Sequence, residues 1–241
     1  MTCLSDNRLL VADFFNNSVK LIDTTSGTVA CSTPLSSLPQ GICMYDDNTA
    51  LVTLPVEKLI QFIRIDGKTL KLDKTMNVSG HIRGITTCRE NIVVSYAKPP
   101  GVKMLSRTGS LEVRIDNTTA GREVFRYPEY LTTSTDQQSI YVSDRGAHMI
   151  TRLDNRLQIL QTFTHHLLLG PRGITAMFDD EFLVVDSHDA IVSLQPSTGT
   201  CKKLLGIEDG INMPGAVAFS PAQKTLYVAS LFGGIVQYTY E

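Results

Sequence analysis

Residues 171 to 194 read PRGITAMFDDEFLVVDSHDAIVSL, and residues 39 to 62 read PQGICMYDDNTALVTLPVEKLIQF. Both open on Pro-x-Gly-Ile, pass an acidic turn and continue into a Val-rich run. A chain that repeats such a unit cannot bury one copy alone, so the copies must stack on one another. The repeat runs the length of the chain. Gly-Ile or its substitute falls at Gly41-Ile42, Gly84-Ile85, Tyr130-Leu131, Gly173-Ile174 and Ala216-Val217, at spacings of 43, 46, 43 and 43. The Val-rich run occurs six times, ending near Asp13, Leu54, Ser95, Asp144, Asp186 and Ser230.

A third run follows each second one: SVKLID, LIQFIRID, VKMLS, MITRLD, AIVSL and GIVQYTY. Its alternation fits a half-exposed strand. Turns such as TTSG, DG, RTG and PSTG come next, then a more polar fourth strand such as TCKKLL. Four short strands in roughly 40 to 45 residues describe a blade of a β-propeller. The expectation is therefore all-β: one six-bladed propeller domain over 1–241, with blades near 1–36, 37–79, 80–124, 125–167, 168–210 and 211–241. The first and last blades are expected to be incomplete. MTCL leaves only a stub for the innermost strand of blade 1, and the chain stops on strand c of blade 6. On that count the chain reads as a piece cut from a longer protein. Residues 1 to 6 and 233 to 241 are expected to be least protected against hydrogen exchange.

WD40 blades carry Gly-His and Trp-Asp signatures, and this chain has no tryptophan. Kelch repeats run nearer 50 residues, and their paired glycines are absent from strand b. PRGI…LVVDSHDAIVSL…STG and LLVADFFNNSVKLID instead resemble the NHL repeat, with its Pro-x-Gly-Ile start and its hydrophobic run ending Val-x-Asp. Departures are Leu54, Ser95-Tyr96 and Ser230 in place of the Asp, and PEYL for Pro-x-Gly-Ile in blade 4. The resemblance covers the whole chain. It implies a non-catalytic protein-recognition module, similar to the substrate-recognition domain that ends tripartite-motif ubiquitin ligases, or an RNA-binding domain of the same kind acting in post-transcriptional regulation. No RING, B-box or coiled-coil segment is present, so no zinc and no ubiquitin transfer are expected of this chain.

The residues limit the chemistry further. The Asp that ends strand b (Asp13, Asp144, Asp186) can accept N–H bonds from the tight b–c connection, a structural role. The Gly before Ile would let strand a enter a crowded channel. An enzyme of the metal-dependent lactonase or esterase type would gather carboxylates on strand a around a hard cation. The segments GICMY, GITTC, YLTTS, GITAM and AVAFS contain none, only Thr86, Thr87, Thr132, Thr133 and Thr175 as a recurring polar feature. No catalytic set, metal site or cofactor is predicted. His165 and His166 are adjacent, so in a strand they would point apart. His148 and His188 fall in b–c loops of neighbouring blades 4 and 5.

Net charge is −2, which argues against a domain that lives by phosphate contacts. The charge is uneven, with ten Lys/Arg against four Asp/Glu between Glu57 and Arg107, a net of +6 that leaves −8 elsewhere. Arg83, Lys98, Arg126, Arg145 and Arg172 map to the loop face and are the candidate RNA contacts. Lys68, Lys71, Lys74 and Lys103 map away from it. Phe14-Phe15 in the b–c loop of blade 1 and Leu231-Phe232 in that of blade 6 are the candidate protein contacts, with His148 and His188. Those phenylalanines either form a contact patch, or plug the channel or pack between blades. Five cysteines, an odd number widely spaced without C-x-x-C, read as reduced thiols. With no basic n-region ahead of an apolar run and no stretch of about 18 apolar residues, the expectation is a cytoplasmic chain off the membrane.

Overall fold

The computed structural model describes residues 1–4, 6–178, 180–232 and 234–240. Ser5, Gly233 and Glu241 of the two end segments, and Asp179 of one acidic turn, lie outside the described residues. The described chain holds 23 strands and a single 3-10 turn, Ile207–Asp209. The strands form six antiparallel sheets in chain order, five of four strands and one of three. The architecture is a six-bladed β-propeller. Among the described residues blade 6 lacks its fourth strand, as expected, while blade 1 has all four strands with a weak innermost one. The innermost strand of blade 1 is only Thr2–Cys3, and blade 6 consists of Pro214–Ser220, Thr225–Ser230 and Ile235–Thr239. Among the described residues no helix is long and apolar enough to cross a membrane.

The strands form where the sequence alternates or is continuously apolar. Strand b is buried on both faces, as in Phe182–Asp186 and Ser139–Asp144, because it lies between its own neighbours and the blades on either side. Strand d is mostly exposed, as in Thr28–Pro34 and Thr69–Asn77, because it forms the outer rim. The apolar core is divided among the blade junctions. Each cluster mixes residues of two neighbours: Leu10 and Leu21 with Val52 and Ile63, Met104 with Leu131 and Ile140, Tyr141 with Phe182 and Val184. Among the described residues five junctions hold between nine and eleven buried residues each, but the junction of blade 6 with blade 1 holds three, Leu9, Ala218 and Tyr227. The ring therefore has a thin seam.

Glycine opens the centre as expected. A Cβ on Gly41 would lie 2.9 Å from the Arg83 carbonyl oxygen, and one on Gly84 would lie 2.7 Å from that of Glu129. Neighbouring innermost strands thus touch backbone to backbone, an approach any side chain would block.

Candidate functional site

The Asp that closes strand b does more than turn a loop. Asp144 is fully buried; its Oδ1 accepts the N–H of Ala147 in the b–c turn and of Tyr127, and its Oδ2 accepts that of Arg126. Asp186 likewise accepts from His188 N at 3.0 Å and from Gly170 N at 2.8 Å. Each carboxylate therefore ties the b–c turn to the loop entering strand a of the same blade. That second tie is not visible in a local turn motif. Asp13 accepts from Asn16 and the Lys20 ammonium.

One residue earlier on strand b, a second device repeats. Gly41 N donates to Thr53 Oγ1 at 2.8 Å, and that hydroxyl donates to the Arg83 carbonyl of the next blade at 2.7 Å. Gly84 N, Ser95 Oγ and the Glu129 carbonyl repeat the pattern at 2.9 and 3.3 Å. Tyr130 N, Ser143 Oγ and the Arg172 carbonyl repeat it at 3.3 and 2.6 Å. All three hydroxyl residues are fully buried. The corresponding residues of blades 5, 6 and 1 are Val185, Ala229 and Ala12, which have no hydroxyl. The latches hold Arg83, Glu129 and Arg172, the variable residue of the Pro-x-Gly-Ile start in three successive blades.

These side chains, with Gln40 of blade 2, ring the mouth of the central channel. Arg83 Nη1 donates to Gln40 Oε1 at 2.7 Å, and Gln40 Nε2 reaches Glu129 Oε1 at 3.5 Å. The Arg83 guanidinium sits 5.1 Å from the centre of the Tyr127 ring, within cation–π range. Glu129 is 7% exposed. Burial pushes its carboxyl above the ordinary value of 4.5, while the charges of Arg172, Arg145 and Arg83 pull the other way. Glu129 Oε2, Arg83 Nε and Arg172 Nε are buried without a hydrogen-bond partner among the described residues. Below the mouth the channel narrows to a cavity of about 40 Å³ lined by one apolar residue from each blade: Met1, Ile42, Ile85, Leu131, Ile174 and Val217.

Glu129 corrects the sequence reading that the innermost strands lack carboxylates. Strand a of blade 4 is Pro128–Thr133, two residues longer at its start than YLTTS suggests, and Glu129 lies in it. Gln40 was likewise missed. The signal was available, because both occupy the variable place in a motif whose flanking residues were already aligned. Three of the threonines staple neighbouring blades: Thr133 Oγ1 donates to the Thr87 carbonyl at 2.7 Å and lies 3.2 Å from Thr86 Oγ1, and Thr87 Oγ1 donates to the Met44 carbonyl at 3.3 Å, whereas Thr175 Oγ1 turns to the carbonyl of its own neighbour Ala176.

Of the predicted basic contacts, Arg83, Arg145 and Arg172 gather about Glu129. Arg126 is paired with Glu123 at 2.8 Å, and Lys98 stands exposed in the b–c connection of blade 3. Phe14, Phe15 and Phe232 do come together. Phe15 stacks on Phe232 with centroids 5.6 Å apart across the seam of blades 1 and 6, and Phe14 meets Phe15 edge-on at 5.3 Å. They are 42, 60 and 75% exposed, so they do not plug the channel. Leu231 is half-buried, its side chain close against Gly215. His148 Nδ1 meets the Leu169 carbonyl, and His188 Nδ1 lies 3.0 Å from Asp186 Oδ1. Among the described residues no group of three His, Cys, Asp or Glu side chains could hold a metal. A larger cleft of about 250 Å³ on the other face is bounded by Cys88, Arg89, Asn91, Met104, Asn155 and Arg156, and its arginines are exposed.

No known family's sequence profile matches this chain, and no curated protein matches it in sequence. Solved propellers match in shape. A streptogramin B lyase superposes with a TM-score of 0.70 at 14% identity, covering 100% of this chain and 82% of the lyase. Virginiamycin B lyase from Staphylococcus aureus gives 0.67 at 16% identity, covering 99% and 83%. The hydrazine synthase of Kuenenia stuttgartiensis gives 0.70 at 14%, covering 95% and 72%. At such identities the likeness is one of fold.

Proposed function

We propose that this propeller is a non-catalytic recognition module that holds a protein partner on the face where the b–c loops and the channel mouth meet. The observation that carries the reading is the phenylalanine patch. Three aromatic rings pack on one another in open solvent, and such exposed aromatic clusters are typical of the apolar centre of an interface. Phe15 and Phe232, with Leu231 beside them, supply the apolar part of the surface, and His148 and His188 lie in loops on the same face. The finer reading, the substrate-recognition end of a tripartite-motif ubiquitin ligase, rests on the Pro-x-Gly-Ile and Val-x-Asp motifs.

The lyase neighbours favour an enzymatic alternative on the same fold. Against it, both loop histidines are already engaged by protein groups, His148 with the Leu169 carbonyl and His188 with Asp186. RNA binding is supported by Arg83, Arg145 and Arg172, and opposed by the ion pair that occupies Arg126. Crosslinking pull-down with nuclease treatment separates the readings. Capture should survive nuclease, and Phe15→Ala with Phe232→Ala should remove it while the melting temperature moves by no more than a few degrees. Capture that disappears with nuclease would transfer the function to RNA. A loss of stability of many degrees would make the patch a part of the core.

A further inference from the structure

The variable residue of Pro-x-Gly-Ile builds a ring with one open side. Going round the mouth it is Gln40, Arg83, Glu129 and Arg172, and then Gly215 in blade 6. The innermost strands of blades 5 and 6 touch, since a Cβ on Gly173 would lie 3.1 Å from the Ala216 Cα. A Cβ on Gly215 would meet the Leu231 side chain at 2.7 Å. Leu231 thus covers the open side, and its chain neighbour Phe232 carries the rim on to Phe15. A charged mouth and an aromatic patch share one edge.

The mouth holds three guanidinium groups against one carboxylate. Among the described residues none of Arg83, Arg145 and Arg172 takes part in a salt bridge, although Arg8, Arg64, Arg107, Arg114 and Arg126 all do. Glu129 is nine-tenths buried with Oε2 unpartnered, and the Nε atoms of Arg83 and Arg172 are in the same state. Desolvated donors without partners are costly, so they favour whatever brings them acceptors. The Thr53, Ser95 and Ser143 latches fix the backbone beneath these side chains, which removes much of the ordering cost of binding.

We infer that this mouth is a receptor for a single carboxylate carried on an acidic peptide segment of the partner, with an apolar side chain next to that carboxylate lying on the Phe15–Phe232 patch. A planar guanidinium receives a carboxylate through two parallel N–H bonds, so the group recognised is fork-shaped and anionic. A chain of phosphates fits less well. Glu129 repels a second anion beside the first, and Arg126, a further cation of this face, is already paired with Glu123, although Lys98 stands exposed there. The inference rests on the protein-recognition reading above and names what that surface reads.

The test pans the folded chain against displayed random nonapeptides. Synthetic fluorescent versions of the enriched peptides are then measured by anisotropy in three forms: with the acidic residue, with its amide counterpart, and with a free or amidated C-terminus. Enriched peptides should pair Asp or Glu with a large apolar residue. The amide form should bind about tenfold or more weaker, the loss of one charged hydrogen-bonding pair. Amidating only the C-terminus should matter only if the carboxylate read is the chain end, which tells the two sources apart. Arg172→Gln should erase the preference for acid over amide, and Arg145→Gln, at an exposed position, should reduce it. Phe15→Ala should weaken both forms alike. Peptides selected for apolar residues without an acid preference, lost in Phe15→Ala, would overturn this inference while leaving protein recognition standing. No peptide selection, with oligouridylate bound in an Arg172-dependent manner, would overturn both.

Discussion

At the scale of single residues, the mouth of the channel depends on groups whose partners lie in the next blade. Thr53, Ser95 and Ser143 each accept one N–H and donate to one carbonyl across a blade junction, and burial makes their loss expensive. Replacing Thr53 with Val keeps the shape and removes both bonds, leaving the Gly41 N–H and the Arg83 carbonyl without the hydroxyl. A cost of about 1–3 kcal/mol is expected, read as a lower midpoint in urea with unchanged slope; no change would mean that water replaces the hydroxyl. Glu129 gives a pH-dependent expectation of definite sign. Its carboxyl is raised in the folded chain by burial. A raised acid contributes stability that is fully present below its unfolded value and fades as pH climbs through the folded one. Glu129→Gln removes that dependence, so relative to the parent it should gain stability as pH rises from about 4.5. Melting temperatures of both proteins across pH 4 to 8 check this, and parallel curves would refute it. The structural part of this network was legible only in fragments. The Asp at the end of strand b announced itself as a turn former, but its second bond, to the loop before strand a, joins residues 16 to 18 apart and has no local signature. Glu129 was overlooked because Tyr130 stands where the repeat has glycine, and the irregular motif hid where the strand begins.

At the scale of strands and blades, periodicity was decisive because the same physical demand recurs every 43 or so residues. A strand b shielded on both faces must be continuously apolar, and the turns around it must supply Asp, Asn and Gly. Those demands set the number of blades and the thinness of the first and last. The aromatic loops were also legible. Phe14, Phe15 and Phe232 are too large and too many for loops with nothing to cover, and ring closure brings blades 1 and 6 together. Whether they faced in or out was not legible, since that depends on how far the loops rise above the channel. Among the described residues strand Ile235–Thr239 of blade 6 bonds to one neighbour only. Its free edge, and the two-residue strand Thr2–Cys3, should exchange amide hydrogens faster than any strand b, with Phe182–Asp186 among the slowest. Equal protection of Ile235–Thr239 and Leu59–Asp66 would mean that another strand pairs with blade 6 in solution.

At the scale of the whole molecule, the core is a chain of separate junctions closed into a circle, five thick and one thin. The thin one, between blades 6 and 1, lies directly beneath the Phe15–Phe232 stack. Offset aromatic pairs contribute about 0.5–1.5 kcal/mol beyond the area they bury, so this exposed contact is a modest reinforcement of the weakest joint. Under tension applied at its two ends the ring would behave as a bracelet with a clasp. The first event would be the parting of blade 1 from blade 6, a small extension at low force, and the five remaining junctions would then yield one after another along an opened strip. A partner bridging Phe15 and Phe232 would act as a pin through that clasp, so the load the ring bears before opening would rise with occupancy.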